Sequence, residues 1–217
     1  MKFNLDDISL VTIIPVILGF ILGRIGSGHD RKRNLRSFIK TDELTAQFQL
    51  KNLEHVKKGT KLFATENFLW IEQYVVKNKL HLNDDFIQDT DFLYLSLSNI
   101  GDSLILNPIV KVHIRNNTNT WKIETTLPTI EKTEVVYVCL DTLESMFDKT
   151  DIVVEKIDIV YDTIAGETLR YIYTTQSKDS SVVFTENYYS TFFFGIFKRK
   201  IHKRKFSPLD WIYIYNK

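Results

Sequence analysis

IVKVHIRNNTNTWKIETTL, residues 109–127, decides the fold class. Val110, Val112 and Ile114 alternate with Lys111, His113 and Arg115, the period of a strand with one face buried. The cluster at 116–119 is turn chemistry, and WKIETTL then returns with strand-forming residues. A hairpin is the expected reading, with His113 on the wet face.

Working outward, the same signals recur. Upstream, FLYLSLS runs into NIGDS, where Gly101 suits a turn. Downstream come EVVYVCL (134–140), IVVEKIDIVY (152–161), TLRYIYTT after the turn IAGE, and VVFTENYYSTFFF after SKDSS. Farther upstream, ELTAQFQLK sets Leu44, Ala46, Phe48 and Leu50 on one face. Short strands at this spacing predict a mainly β protein, an antiparallel sandwich. One or two short helices are expected beside it: KLFATENFLWIEQYVVKNKL (61–80), where the all-apolar FLWI leaves helix and strand both open by period and the length without Gly or Pro favours a helix, and a single turn within DTLESMFDKT (141–150). NDDFIQDTD (83–91) lacks the Gly and distal Glu of a calcium loop and reads as a solvated connector. Nothing repeats at a fixed period.

Three of these features together resemble the immunoglobulin-like sandwiches of small bacterial membrane-anchored proteins. They are the strand closing on Asn99 and Gly101, the strand IDIVYD, and the G-E-x-x-R-Y run from Gly166 to Tyr171. The likeness covers residues 92–176 and implies a β-sandwich with an interaction role. The paired cysteines of antibody domains are absent, because Cys139 is the only cysteine.

At the amino end, ISLVTIIPVILGFILG (8–23) holds 16 consecutive uncharged residues. As a helix it rises about 24 Å, and continuing to Gly28 reaches the roughly 30 Å of a bilayer core. A secretory signal wants a basic start and a small-residue cleavage site, but the chain begins MKFNLDD and offers no such site. A soluble core helix would be interrupted at Pro15 and would not be apolar on every face. The expectation is a transmembrane helix over 8–28, after a short tail at 1–7. Residues 29–42 then form a basic juxtamembrane segment and 43–217 the β domain, ending in a basic, aromatic hairpin. Arg24, Arg31, Lys32, Arg33, Arg36 and Lys40 follow the apolar run and only Lys2 precedes it. The positive-inside rule then places the N-terminus outside and the β domain in the cytoplasm of a bacterial cell. Gly19 and Gly23 form a G-x-x-x-G face through which two such helices can pair into a homodimer.

The net charge of +1 excludes bulk attraction to nucleic acid, so local charge matters more. FFFGIFKRKIHKRKF (192–206) packs Lys198, Arg199, Lys200, Lys203, Arg204 and Lys205 beside phenylalanines, with Trp211, Tyr213 and Tyr215 following. A hairpin with a basic tip is the expected structure, and its tip suits anionic lipid headgroups. Single-stranded nucleic acid is the disfavoured rival for the same mixture. Membrane-surface contact is thus expected from Arg31, Lys32, Arg33 and Arg36 and from the six cations of 198–205, alongside a protein partner of unspecified identity.

Signatures of phosphate loops, dinucleotide folds, serine-hydrolase elbows and zinc proteases are missing. His29, His55, His81, His113 and His202 lie at no ligand spacing, and Cys139 sits in an apolar strand without a neighbouring cation. No catalytic residue, cofactor or metal is expected, and an interaction module is favoured over an enzyme. Two rivals keep the span: a tethered enzyme or toxin-like effector with a site of unfamiliar pattern, and a reversed topology with the domain outside as an adhesion or envelope module.

Overall fold

In the computed structural model the hairpin at 109–127 is two antiparallel strands, β4 (Ile105–Arg115) and β5 (Thr120–Thr126), with Val112 opposite Ile123 and His113 opposite Lys122. The structure describes residues 15, 19, 35–50, 60–83, 90–117, 119–147, 152–178, 181–192 and 196–206. The turn closes as its sequence suggests. Asn116 N–H donates to the Asn119 carbonyl at 2.9 Å, and Asn119 N–H donates back to Asn116 Oδ1 at 2.6 Å. Val110, Val112 and Ile114 are buried and His113 is exposed, as the alternation requires.

Strands dominate and form two sheets. The remaining ones are β1 (Ile39–Gln47), β2 (Lys61–Phe63), β3 (Asp91–Asn99), β6 (Val135–Cys139), β7 (Val153–Thr163), β8 (Thr168–Lys178), β9 (Ser181–Phe192) and β10 (Phe197–Phe206). A six-stranded antiparallel sheet has the order β10-β9-β8-β7-β4-β5, and a four-stranded sheet has the order β1-β3-β6-β2. The sheets share a core: Leu95, Leu97, Val136 and Val138 from the smaller meet Val110, Val112, Ile157 and Ile159 from the larger. Each such side chain stabilises the fold by about 1.5–3 kcal/mol relative to exposure.

The smaller sheet is buried on its other face too. There Phe92, Tyr94 and Cys139 pack against Phe68, Ile71 and Val75 of α1 (Glu66–Lys77), joined by Phe48 and Met146. Double burial explains why FLYL shows no polar alternation. The expected helix over 61–80 is shorter than its sequence suggested. Lys61–Phe63 is instead a strand parallel to β6, so the smaller sheet is not wholly antiparallel. Thr65 then caps the helix, its Oγ1 accepting from Phe68 N–H at 3.2 Å. Lys79 at φ 56 ends it, and a short 3-10 turn follows at Leu80–Leu82. The single turn foreseen within 141–150 is present: Met146 N–H donates to the Thr142 carbonyl at 3.0 Å.

Among the described residues no helix is long and apolar enough to cross a membrane. The expected span at 8–28 lies outside them except for Pro15 and Gly19, which are helical and exposed.

Candidate functional site

The chain enters the β domain at Arg36, where several long-range polar bonds meet. Arg36 forms a fork with Glu167, Nε donating to Oε2 at 2.7 Å and Nη2 to Oε1 at 2.6 Å. The two side chains are 15% and 3% exposed, so the pair is largely withdrawn from water. Ser190 Oγ also donates to Glu167 Oε1 at 2.6 Å, which draws the end of β9 into the same knot. Beside it, Tyr161 Oη donates to the Ser37 carbonyl at 3.0 Å and Ser103 N–H donates to Ser37 Oγ at 3.0 Å.

Asn99 holds the neighbouring loop. Its Oδ1 accepts from Gly101 N–H at 3.0 Å, and its Nδ2 donates to the carbonyls of Ser103 at 2.8 Å and Ile130 at 3.2 Å. Gly101 is obligatory for a steric reason: a Cβ there would stand 2.4 Å from Ser37 Cα. Gly166, at φ 68, allows the tight turn that presents Glu167. Five of the residues that carried the sequence resemblance therefore sit at this closed end: Asn99, Gly101, Tyr161, Gly166 and Glu167. Tyr171, a strand away in the core, shares a 2.8 Å hydrogen bond with Thr41. IDIVYD also contributes elsewhere: Asp158 receives a fork from Arg170 on the opposite face of the large sheet. Burial alone would raise the Asp158 pKa, but Arg170 and Lys156 outweigh it and hold the carboxyl below its ordinary range.

The expected surface cations fare differently. Arg31, Lys32, Arg33 and Gly23 lie outside the described residues, and Gly19 has open space around it. Arg36 is committed to Glu167 rather than offered to the surface. Lys198, Arg199, Lys200, Lys203, Arg204 and Lys205 are all exposed, yet they do not form the tip of a hairpin. They run the length of β10, the edge strand paired to β9. A bulge between Lys200 and His202 changes the register. Paired residues share a face, so Arg199, His202 and Arg204 lie on the inner side with Ser190, Tyr188 and Glu186. The four lysines lie on the outer side. A charged, bulged edge also resists pairing with foreign strands.

At the other end the sheets part and leave a cleft of about 940 Å³. Tyr173 and Phe184 stack on its wall at 5.8 Å between centroids, and Glu43, Glu186 and Arg204 enter from β1, β9 and β10. Glu43 keeps contact with solvent, but the surrounding walls desolvate its carboxyl and push its pKa up to about 7. Burial pushes Tyr173 up to about 12, with the charges of Glu43 and Glu186 adding to the effect. A second groove of about 380 Å³ lies between α1 and the β4–β5 turn, edged by Trp70, Trp121, Asn67 and Glu144. Trp121 Nε1 is engaged with the Leu140 carbonyl at 3.0 Å. Among the described residues no group of three or more His, Cys, Asp and Glu is placed to hold a metal, and Cys139 is buried.

The clamp and the cleft both escape a sequence reading. Glu167 is 131 residues from Arg36, and the cleft draws Glu43, Tyr173 and Glu186 from three strands. The only local signal was the pair of glycine turns at 101 and 166. No protein-family model, curated protein or solved structure matches the chain.

Proposed function

We propose that the chain is a single-pass membrane protein, its N-terminus outside, whose cytoplasmic β domain acts by binding. The observation that carries this reading is the exit point: the uncharged run at 8–23 and its basic flank lead into a domain that grips its own first residue, Arg36, through Glu167. A tether so fixed would deliver the domain to the bilayer in one orientation rather than on a loose leash. Membrane lipid and a protein partner are the proposed contacts, and pairing through Gly19 and Gly23 would make a homodimer. The finer fold proposal is an immunoglobulin-like sandwich. It is supported by the two facing sheets and by the strand pattern over 92–176, while the parallel β2–β6 pair and α1 would be additions to that plan.

Sidedness tests it. With Cys139→Ala and one exposed cysteine at Lys122, a membrane-impermeant maleimide should label inverted vesicles and spare intact cells. Labelling of intact cells would reverse the topology, in favour of an adhesion or envelope module. The open cleft with its desolvated Glu43 favours a second reading, a tethered enzyme or effector acting on a small molecule. Turnover or saturable small-molecule binding abolished by Glu43→Gln would select it.

A further inference from the structure

We infer that the closed end of the β domain rests on the lipid surface, with Ile100, Ile164, Ile196 and Phe197 entering the headgroup region. This rests on the single-pass reading and adds to it which part of the domain meets lipid. The four side chains are 61%, 55%, 75% and 61% exposed, and they are four of the ten large apolar side chains exposed among the described residues. A scatter of single exposed apolar residues is ordinary on any protein. Here the strand connections bring them to one end. Asn99, just before Ile100, lies opposite Ile39 at the start of β1, and Thr163, just before Ile164, lies opposite Ile105. Thr168 lies opposite Thr191, and Phe197 opposite Phe192. Direct bonds tie these connections to the chain's entry, Ile100 N–H to the Phe38 carbonyl at 3.0 Å and Arg36 to Glu167.

The tips therefore surround the point from which the chain leads back to the uncharged run. The 12 residues from Arg24 to Leu35 can span no more than about 40 Å even when fully extended, so a bilayer anchor would keep this end close to the surface. Charge agrees with that placement. Lys198, Arg199 and Lys200 directly follow Phe197, and cations near an anionic leaflet are attracted to it. Lys203, Arg204 and Lys205 lie five to seven residues farther along β10 than Lys198. At about 3.3 Å per residue that is roughly 17–23 Å, or two to three Debye lengths at physiological salt. End-on docking thus divides the basic run into three cations that meet lipid and three that do not. A strand lying flat on the membrane, or gripping a nucleic-acid backbone, would use cations along the whole length of β10.

The full chain carrying Cys139→Ala tests this in vesicles of neutral lipid with about 30% phosphatidylserine. A polarity-sensitive fluorophore is attached at a single cysteine replacing Ile164 or Ile196, or at Thr120 or Lys205 on the opposite end. Doxyl-labelled lipids should quench the Ile164 and Ile196 probes about threefold or more above the other two. Charge reversal at Lys198, Arg199 and Lys200 should reduce that excess, and reversal at Lys203, Arg204 and Lys205 should leave it. If all four probes are quenched alike while the chain resists carbonate extraction, the docking is overturned and the anchor stands. Equal loss from both triple reversals overturns it as well. A chain that carbonate strips from the vesicles overturns the single-pass reading itself.

Discussion

Where β1 begins, connections from both sheets are bound into one buried polar knot around Arg36, Glu167, Ser37 and Asn99. Farther along β1, the same two sheets stand apart around Glu43, Tyr173 and Glu186, and a stacked aromatic pair lines the gap beside aliphatic side chains. The two ends differ in what their polar groups do. At the closed end each carboxylate and amide is answered by donors or acceptors, so the cost of burying it is repaid in geometry. At the open end desolvation raises the Glu43 pKa, which leaves that carboxyl sensitive to pH and to whatever enters.

Breaking the closed end should have the largest effect. Glu167→Ala strands the Arg36 guanidinium and Ser190 in a largely dry site, and loss of one partner of such a pair costs about 3–5 kcal/mol. Urea unfolding should show it as a lower midpoint at unchanged slope. A loss below 1 kcal/mol, or about that, would mean water already shares the knot. Gly101→Ala should come next, because its new Cβ meets backbone at Ser37 rather than a side chain that can swing away. Overpacking of this kind costs about 1–3 kcal/mol. Between the two ends, Thr41→Val removes the partner of Tyr171 Oη and should cost about 1 kcal/mol. Tyr171 also reaches Glu186 at 3.2 Å, so a smaller loss from Thr41→Val would show that the cleft carboxylate takes over.

How much of this contrast is legible before folding depends on the range of the interactions. Strands with one wet face declare themselves, as at 109–115, because burial writes a period of two into the sequence. β3 hides that period, since α1 covers the face that would otherwise be polar. β2 is too short to carry any period, and it reads as the start of the helix that follows. The basic run at 198–205 looks like the tip of a hairpin because cations crowd six of its eight positions. Pairing with β9 and the bulge after Lys200 separate them onto two faces. Arg36 reads as one more cation in a basic flank, and nothing near it in sequence announces Glu167. Long-range polar pairs leave no local pattern, and the closed end of this domain is built from them.

The smallest predicted effect sharpens the comparison at the open end. The Glu43 carboxyl titrates near 4.5 when the chain is unfolded and near 7 when it is folded. Between those values the folded chain holds a proton that the unfolded chain has released, so stability falls as pH rises through that window. Below about 4.5 both states are neutral at this site and the native contribution is fully present. Above about 7 the partly desolvated charge exerts its penalty, screened by solvent. Glu43→Gln fixes the neutral form, so it should match the parent at pH 4 and exceed it at pH 8. Solvent still reaches the side chain and screens it, which limits the gain to about 1 kcal/mol or less. Urea midpoints of both chains at about pH 4, 6 and 8 measure the difference directly. A gap that stays constant with pH would mean that Glu43 is hydrated in the folded state. The open end would then be an ordinary wet crevice, and the contrast between the two ends would rest on the Arg36–Glu167 clamp alone.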